Sequence, residues 1–513
     1  MKKSRQYDII LKCKKNRKPE RASKRRLLKV ETKQKKPNPA GWLTNSAERK
    51  SYYFYFFGQN MIYNMVNGFL ATFLVLINID PVKSGVVMLV VKVWDAVNDA
   101  LFGVLFDKVK FRSGKKYLPW LKIACALTPL ATIAIFIIPA KMGEMPDEML
   151  ENVKLIWFAI AYIIWDTAYT LCDVPAFGII TSMTTNVEER NTVLSYKSIT
   201  GGIGSALTFV LVTVLNGSLG IQYSIISIII ASVAAATMFP VCKHCQERFK
   251  GTDEEQFTIK RMLKYIVKNK YLLIFYLGYL FYSGAQTYNQ LQHIFAFYIY
   301  GNATLTLITG TVAAIPQLIM SLLVPKMIKK MDKMTLFHIS VVVTIVTSVI
   351  MCFTRSSFIL FCVMYMLRAV PLGIMGVLSF TFTPDCAEYG QFTTGTEAKG
   401  ITFAIQTFIV KLSSAISTSV GLILLGFFGY RTIENADSFP ALEALGEAAA
   451  QTPEALDGIW FTFNVFPIFG ITIAFAIWLF YKLKDKDVQV MADCNAGKIS
   501  KEEAEKLLSR KYS

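Results

Sequence analysis

The chain is short of everything that soluble enzymes use in quantity. Of its 513 residues only 18% are Asp, Glu, Lys or Arg, and three are His. It contains no phosphate-cradling GxxxxGK[ST] loop, no HExxH and no plausible nucleophile–base pair, which excludes transport powered by ATP within this chain and argues against an enzyme. Its nine Cys are scattered. Cys242 and Cys245 form a lone CxxC beside His244, without the second pair of ligands a zinc site needs. Most of the others sit in apolar segments, where Cys packs as a small apolar residue, and nothing implies disulfides. The first fifty residues have no apolar core long enough for a signal peptide.

Carboxylates are also scarce, 36 against 55 Lys and Arg, for a net charge of +19. Residues 1–50 hold 18 Lys/Arg and four Asp/Glu, a surplus of 14 that leaves +5 for the rest. This reads as a solvated basic tail. A second reading is attraction to anionic lipid headgroups on the cytoplasmic face. No folded reader accompanies the charge, so nucleic acid is not an expected partner.

What is abundant is apolar sequence, 53% of the chain, with positive mean hydropathy. It comes in blocks of about 20 residues or more, the length that crosses a bilayer as a helix. Twelve spans are expected, at 52–77, 84–106, 118–139, 154–183, 192–216 and 219–241, then 271–298, 304–328, 335–354, 357–382, 398–430 and 458–481. Alternate loops are basic: "DKVKFRSGKK" after span two, "KHCQERFKGTDEEQFTIKRMLKYIVKNK" after span six, "PKMIKKMDK" after span eight. The loops after spans three and eleven are acidic or neutral. By the positive-inside rule both termini are cytoplasmic. The expected organisation is a tail over 1–50, a six-helix half over 51–241, a cytoplasmic loop over 242–270, a second half over 271–482 and a C-terminal tail over 483–513. Two such halves suit a transporter.

Several spans carry polar residues that lipid would penalise, an Asp at a helix centre by about 2.5–3.5 kcal/mol. Lys92, Asp95 and Asp99 share one face of span two, with Asn98 beside the carboxylates. They are either an internal ion pair or oxygens that replace water around a small cation or take up a proton. In span four Asp166, Thr170 and Asp173 share a face, with Tyr169 adjacent, and Pro175 interrupts the helix. Span one carries Gln59, Asn60, Asn64 and Asn67, amides suited either to a polyhydroxylated ligand or to bonding helix to helix. Lys411 in span eleven needs a carboxylate partner and lies one turn beyond Thr407. His293 reads as an ordinary interfacial residue.

"WDAVNDALFGVLFDKVKFRSGKKYLPWL", "TAYTLCDVP" and "PDCAEYGQFTTGTEAKGITFAIQTFIVKLSSA" occur in that order. Together they resemble the glycoside–pentoside–hexuronide:cation symporters, the melibiose-permease-like branch of the major facilitator superfamily, over about residues 50–485. The resemblance implies an all-α integral membrane fold of twelve helices in two six-helix halves. It implies a cation site at Asp95, Asn98, Asp99 and Thr170, with Lys92 as charge partner. It places Asn60, Asn64, Tyr169, Asp173, Phe177, Lys197, Thr407 and Lys411 at substrate positions. Gly103, Asp107, Lys108, Arg112 and Lys115 match the cytoplasmic gate motif. Asn60 replaces an Asp of the melibiose permeases, Phe177 a Trp and Ala100 a Pro, so the cation site looks intact and galactoside specificity does not transfer.

The expected function is therefore symport of a sugar or glycoside with Na+ or H+, by a monomer in the cell (inner) membrane, with no cofactor beyond the coupling ion. Asn98 leans toward sodium. Alternatives are a lysolipid or other organic solute carried by the same fold, and a sugar sensor that does not transport.

Overall fold

The computed structural model describes residues 41–109, 111–139, 146–249, 259–395, 399–434 and 436–512. Within them the side chains of residues 96, 97, 99–101, 103–105, 107, 108, 259, 260, 263 and 399 are excepted. The basic tail up to residue 40 and the side chains of Asp99, Gly103, Asp107 and Lys108 thus lie outside the described residues. Among the described residues there are helices and no strands.

Each expected span has a helical counterpart. Spans one to six are Ser46–Leu76, Pro81–Lys108, Leu118–Ile135, Asp147–Met183, Val187–Gly217 and Tyr223–Met238. Span seven is split into Lys270–Gly284 and Tyr288–Tyr300. Spans eight to eleven are Leu305–Met327, Lys333–Met351, Phe358–Thr394 and Lys399–Phe427, and span twelve runs through Pro453–Trp460, a π-turn and Phe466–Trp478. Among the described residues nine helices are long and apolar enough to cross a membrane. The expected spans one, two and seven fall on helices beyond those nine, and these include the amide-rich and the broken ones.

Local chemistry explains the ends. Asn45 caps span one by accepting from the amides of Ala47 and Glu48 at 2.9 and 3.0 Å, while Glu48 accepts from the Asn45 amide at 2.9 Å. This reciprocal box satisfies donors that a helix start leaves orphaned. The break in span seven strands the carbonyl of Gln286, and Ser417 of span eleven donates to it at 2.8 Å. Backbone polar groups freed at membrane depth persist only where a neighbour satisfies them in this way. Pro175, expected to interrupt span four, does not: the helix runs unbroken from Asp147 to Met183. Around it the Tyr55 hydroxyl donates to the carbonyl of Cys172 at 2.7 Å and Tyr52 to that of Ala176 at 3.0 Å.

The helices form a bundle with one end carrying the first and last described residues, 41–45 and 482–512, here the terminal end. Span one packs along span five, and Gly204 faces the Phe57 carbonyl where any Cβ would collide. Spans eight and ten pair in the other half, as do seven and twelve. Spans two and eleven pack against each other across the halves; a Cβ on Gly85 would sit 2.8 Å from the Ser419 carbonyl.

Among the described residues, hydrogen bonds join the halves at mid-depth and at the far end. Thr72 donates to the Gln290 carbonyl at 3.2 Å, Thr213 meets His293 Nε2 at 2.9 Å, and Asn216 donates to the Asp437 carbonyl at 3.2 Å. His293, expected at an interface with water, is instead buried among aromatic rings. One apolar core fills the first half and continues across this end into Phe295, Phe361, Leu422 and Phe463. A second core, around Phe275, Phe337, Phe382 and Trp478, belongs to the C-terminal half alone.

Candidate functional site

A cavity of about 720 Å³ lies between the halves and is lined by spans one, two, four, five and eleven. Most of the polar residues singled out from the sequence meet there. Span two contributes Lys92 and Asp95, span four Asp166, Tyr169, Thr170, Asp173 and Phe177, span five Lys197, and span eleven Thr407 and Lys411. Asn60 and Asn67 line it from span one.

Its centre is an ion pair across the halves. Lys411 Nζ donates to Asp95 Oδ1 at 2.8 Å, with the two side chains 33% and 19% exposed. Lys92 was expected to hold Asp95. Instead its ammonium lies 3.4 Å from the hydroxyls of Ser414 and Thr418 on span eleven. Helical side chains lean toward the N-terminus of their helix, so Lys92, which precedes Asp95, reaches away from it. Among the described side chains, Asp95 and Asp166 still act on it electrostatically.

Beside the ion pair sits a buried network between spans two and four. Asn98 donates through Nδ2 to Asp166 Oδ2 and to Thr170 Oγ1, each at 3.0 Å, and Thr170 donates to the Asp166 carbonyl at 3.1 Å. Asn98, Asp166 and Thr170 are all buried. Asp166 shared a face with Thr170 in the sequence but was not assigned to the cation set; its contact with Asn98 is a tertiary fact that no spacing encodes. The amide spends its N–H groups on these partners, which turns its carbonyl oxygen elsewhere.

Elsewhere on its wall the lining changes character. Gln59 donates to Asp173 at 2.6 Å and leaves its own Oε1 buried without a partner. The rings of Trp165 and Tyr169 stack at 5.1 Å, and Tyr63 lies 5.5 Å from Tyr169. Lys197 Nζ sits over the rings of Phe177 and Phe56, 3.8 and 4.2 Å from their centres. Phe177 is exposed on the cavity wall. Trp165 was not singled out from the sequence; its i, i+4 relation to Tyr169 was the available signal.

Two span-one amides part company. Asn60 lines the cavity and donates to its own helix at the Phe56 carbonyl, 2.8 Å. Asn64 was expected to face substrate, but it donates to the Ser205 carbonyl of span five at 2.8 Å and lies outside the cavity lining. It turns toward span five because spans one and five are in tight contact there, and the carbonyl needs a partner in an apolar setting.

At the terminal end Arg112 and Lys115 of the gate motif are exposed. The loop is tied down by Glu247, whose carboxylate accepts from the amides of Lys116, Tyr117 and Leu118 at 2.6–2.9 Å and so caps span three. Among the described residues no cluster of three His, Cys, Asp or Glu could hold a transition metal.

Comparison with known proteins gives the family and the fold. The family described as MFS/sugar transport protein matches residues 51–485. An uncharacterized symporter, YjmB of Bacillus subtilis, is 24% identical over 460 residues, covering 87% of this chain and 94% of its own. The isoprimeverose transporter of Lactiplantibacillus pentosus is also 24% identical over 460 residues, with 87% and 91% covered. The crystal structure of the nucleoside transporter NupG superposes with a TM-score of 0.58 at 14% identity, covering 85% of this chain and all of that one; this likeness speaks to fold alone.

Proposed function

Since the chain belongs to the MFS/sugar transport protein family, we propose that it is a secondary active transporter which carries a sugar or glycoside together with Na+ or H+ by alternating access. The observation that carries this reading is the Lys411–Asp95 pair inside the cavity, one charge from each half. Relatives named as carriers of isoprimeverose, lactose and glucuronides favour a glycoside as the solute.

The residues divide the work. Asp95, Asp99, Asn98 and Thr170 form the coupling-ion site, extended by Asp166, whose carboxylate already holds Asn98. Without the ion, Lys411 neutralises Asp95. An arriving cation or proton takes that carboxylate and frees the ammonium. Lys411, Asp173 with Gln59, Asn60 and Thr407 then offer donors and acceptors to sugar hydroxyls. The rings of Trp165, Tyr169 and Phe177 supply apolar faces against which a sugar ring packs. Each ligand thereby raises the other's affinity, as coupling requires.

The basic loops lie at the terminal end, so this end is assigned to the cytoplasm, in the cell membrane. Among the described residues the halves join at mid-depth and at the opposite end, and we read the conformation as inward-facing. Arg112 and Lys115, exposed in this state, would latch when the cavity opens outward, together with Gly103, Asp107 and Lys108. The chain works as a monomer, and the tail over 1–50 supplies contact with anionic lipid.

The test is uptake into proteoliposomes under a sodium or proton gradient, with a panel of radiolabelled glycosides. Gradient-driven accumulation should vanish for Asp95→Asn and for Asp99→Cys while the protein stays folded. Undiminished accumulation in both variants would remove the coupling assignment.

A further inference from the structure

A second polar cavity, of about 300 Å³, lies within the C-terminal half between spans seven, eight and ten, next to the break in span seven. Arg368 of span ten forms one wall, with Gln286, Tyr288, Asn289, Gln317 and Tyr365 around it. Arg368 is 3% exposed, and its Nε and Nη2 are buried without a hydrogen-bond partner. Among the described residues no ion pair reaches it. The rings of Tyr288 and Tyr365 flank the guanidinium at 4.9 and 4.7 Å. They partly offset the loss of water but supply no acceptor for its N–H groups.

The sequence offers little to neutralise it. Between Tyr271 and Pro384 the sole carboxylate is Asp332, which lies at the terminal end, where it caps span nine. A guanidinium held at membrane depth ordinarily pairs with an acid or with backbone carbonyls. Here the unpaired N–H groups adjoin a polar hollow with amide and phenol donors on its walls. A planar fork of N–H donors matches two carboxylate oxygens.

We propose that this hollow binds a carboxylate, the two oxygens accepting from Arg368 and the remaining lone pairs from Gln317, Asn289 or a tyrosine hydroxyl. The carboxylate is either free, as in a small organic acid, or borne by a larger solute such as a sugar acid. The site is separate from the cavity between the halves, shares none of its lining residues, and does not depend on the transport reading.

The experiment is equilibrium binding to the full-length protein in nanodiscs, by calorimetry at fixed ionic strength. The probes are acetate, glucuronate and, as a neutral control, glucose. Both carboxylates should bind saturably, and Arg368→Gln should weaken them on the order of 30-fold or more. Arg368→Lys, which keeps the charge without the fork, should fall between. Equal affinity for acetate and glucuronate would identify a free acid; a strong preference for glucuronate would identify a sugar-borne one. Should Arg368→Gln fail to fold, Arg368→Lys and Gln317→Ala carry the test. Absence of saturable carboxylate binding, or binding unaffected by every one of these variants, would overturn the proposal.

Discussion

In the N-terminal half the intramembrane acids gather: Asp95, Asp166 and Asp173 all line one cavity, with Lys92 and Lys197 at its edges. In the C-terminal half the charges near mid-membrane are bases, Lys411 and Arg368, and the acids of its spans, Asp385, Glu388, Glu454 and Asp457, lie toward the helix ends. The attraction at Asp95 therefore crosses the surface along which the halves must move. An acid and base on the same half would stabilise that half in every state. Placed across the divide, the pair stabilises one arrangement and yields to a cation that competes for the acid, which makes it a switch.

The strongest way to break this contrast is to remove one partner. Lys411→Ala should abolish gradient-driven uptake, as Asp95→Asn does, and each single variant should lower thermal stability by about 1–3 kcal/mol, between the ranges for exposed and buried pairs because both groups are partly exposed. The double variant Asp95→Asn with Lys411→Ala should recover most of the stability and none of the coupling. A double variant destabilised by the sum of the two single effects would mean that the two residues act independently. Thermal unfolding and uptake on the same four proteins read both quantities.

A smaller effect is expected within the N-terminal half. Asp166→Asn keeps the shape of the network with Asn98 and Thr170 but removes its charge. The apparent affinity for the coupling ion should fall about 10- to 100-fold, the usual consequence of losing a group that orients ion ligands. Binding of the sugar at saturating cation should change little. An unchanged ion affinity would confine the site to span two and Thr170.

The contrast was only partly visible in the linear chain. The spans, the halves and the aspartates were legible because length, hydropathy and i, i+3, i+4 spacing are local properties. Asp95 and Thr170 were assigned on motifs and do share a cavity. What escaped was decided by contacts between distant segments. Lys92 and Lys411 look equally able to neutralise Asp95 until the lean of span two and the position of span eleven select one. Asn60 and Asn64 have the same chemistry on the same helix, yet one faces the cavity and the other a backbone carbonyl. Arg368 stood alone in an apolar run without an acid for many residues either side, a signal that was present but not weighed.

The two amides give the next test. Asn64→Ala should cost about 0.6–2 kcal/mol of stability, the range for a bond between membrane helices, and leave sugar affinity unchanged. Asn60→Ala should show the reverse, weaker sugar binding with little change in unfolding. Parallel behaviour of the two would erase the division of span one into a packing face and a ligand face.

The smallest expected effect on transport lies where each half meets its outermost described segment. The N-terminal half fixes its entry segment with Glu189, which accepts from the amides of Leu43 and Thr44 at 3.0 and 2.9 Å. The C-terminal half uses Asp487 beyond span twelve, which accepts from the hydroxyls of Ser509 and Tyr512, each at 2.5 Å. Burial alone would raise the Asp487 pKa, but these donors and the Ser509 amide outweigh it and hold the carboxyl below its ordinary value. A depressed folded pKa stabilises docking fully above the unfolded value of about 3.9, and the contribution is lost as pH falls through the lower folded value. Protection of residues 485–512 from hydrogen exchange should therefore be constant from neutral pH down to about pH 4 and decline below it. Asp487→Asn should loosen the segment by about 1.5–3 kcal/mol at neutral pH, the scale of hydrogen bonds to a charged group, and remove the acid-dependent decline while uptake stays intact. A variant segment that still loosened in acid would move the titration to another carboxylate, with Asp493, held below its ordinary value by hydrogen bonds from Lys498 and Gln489, the next to replace.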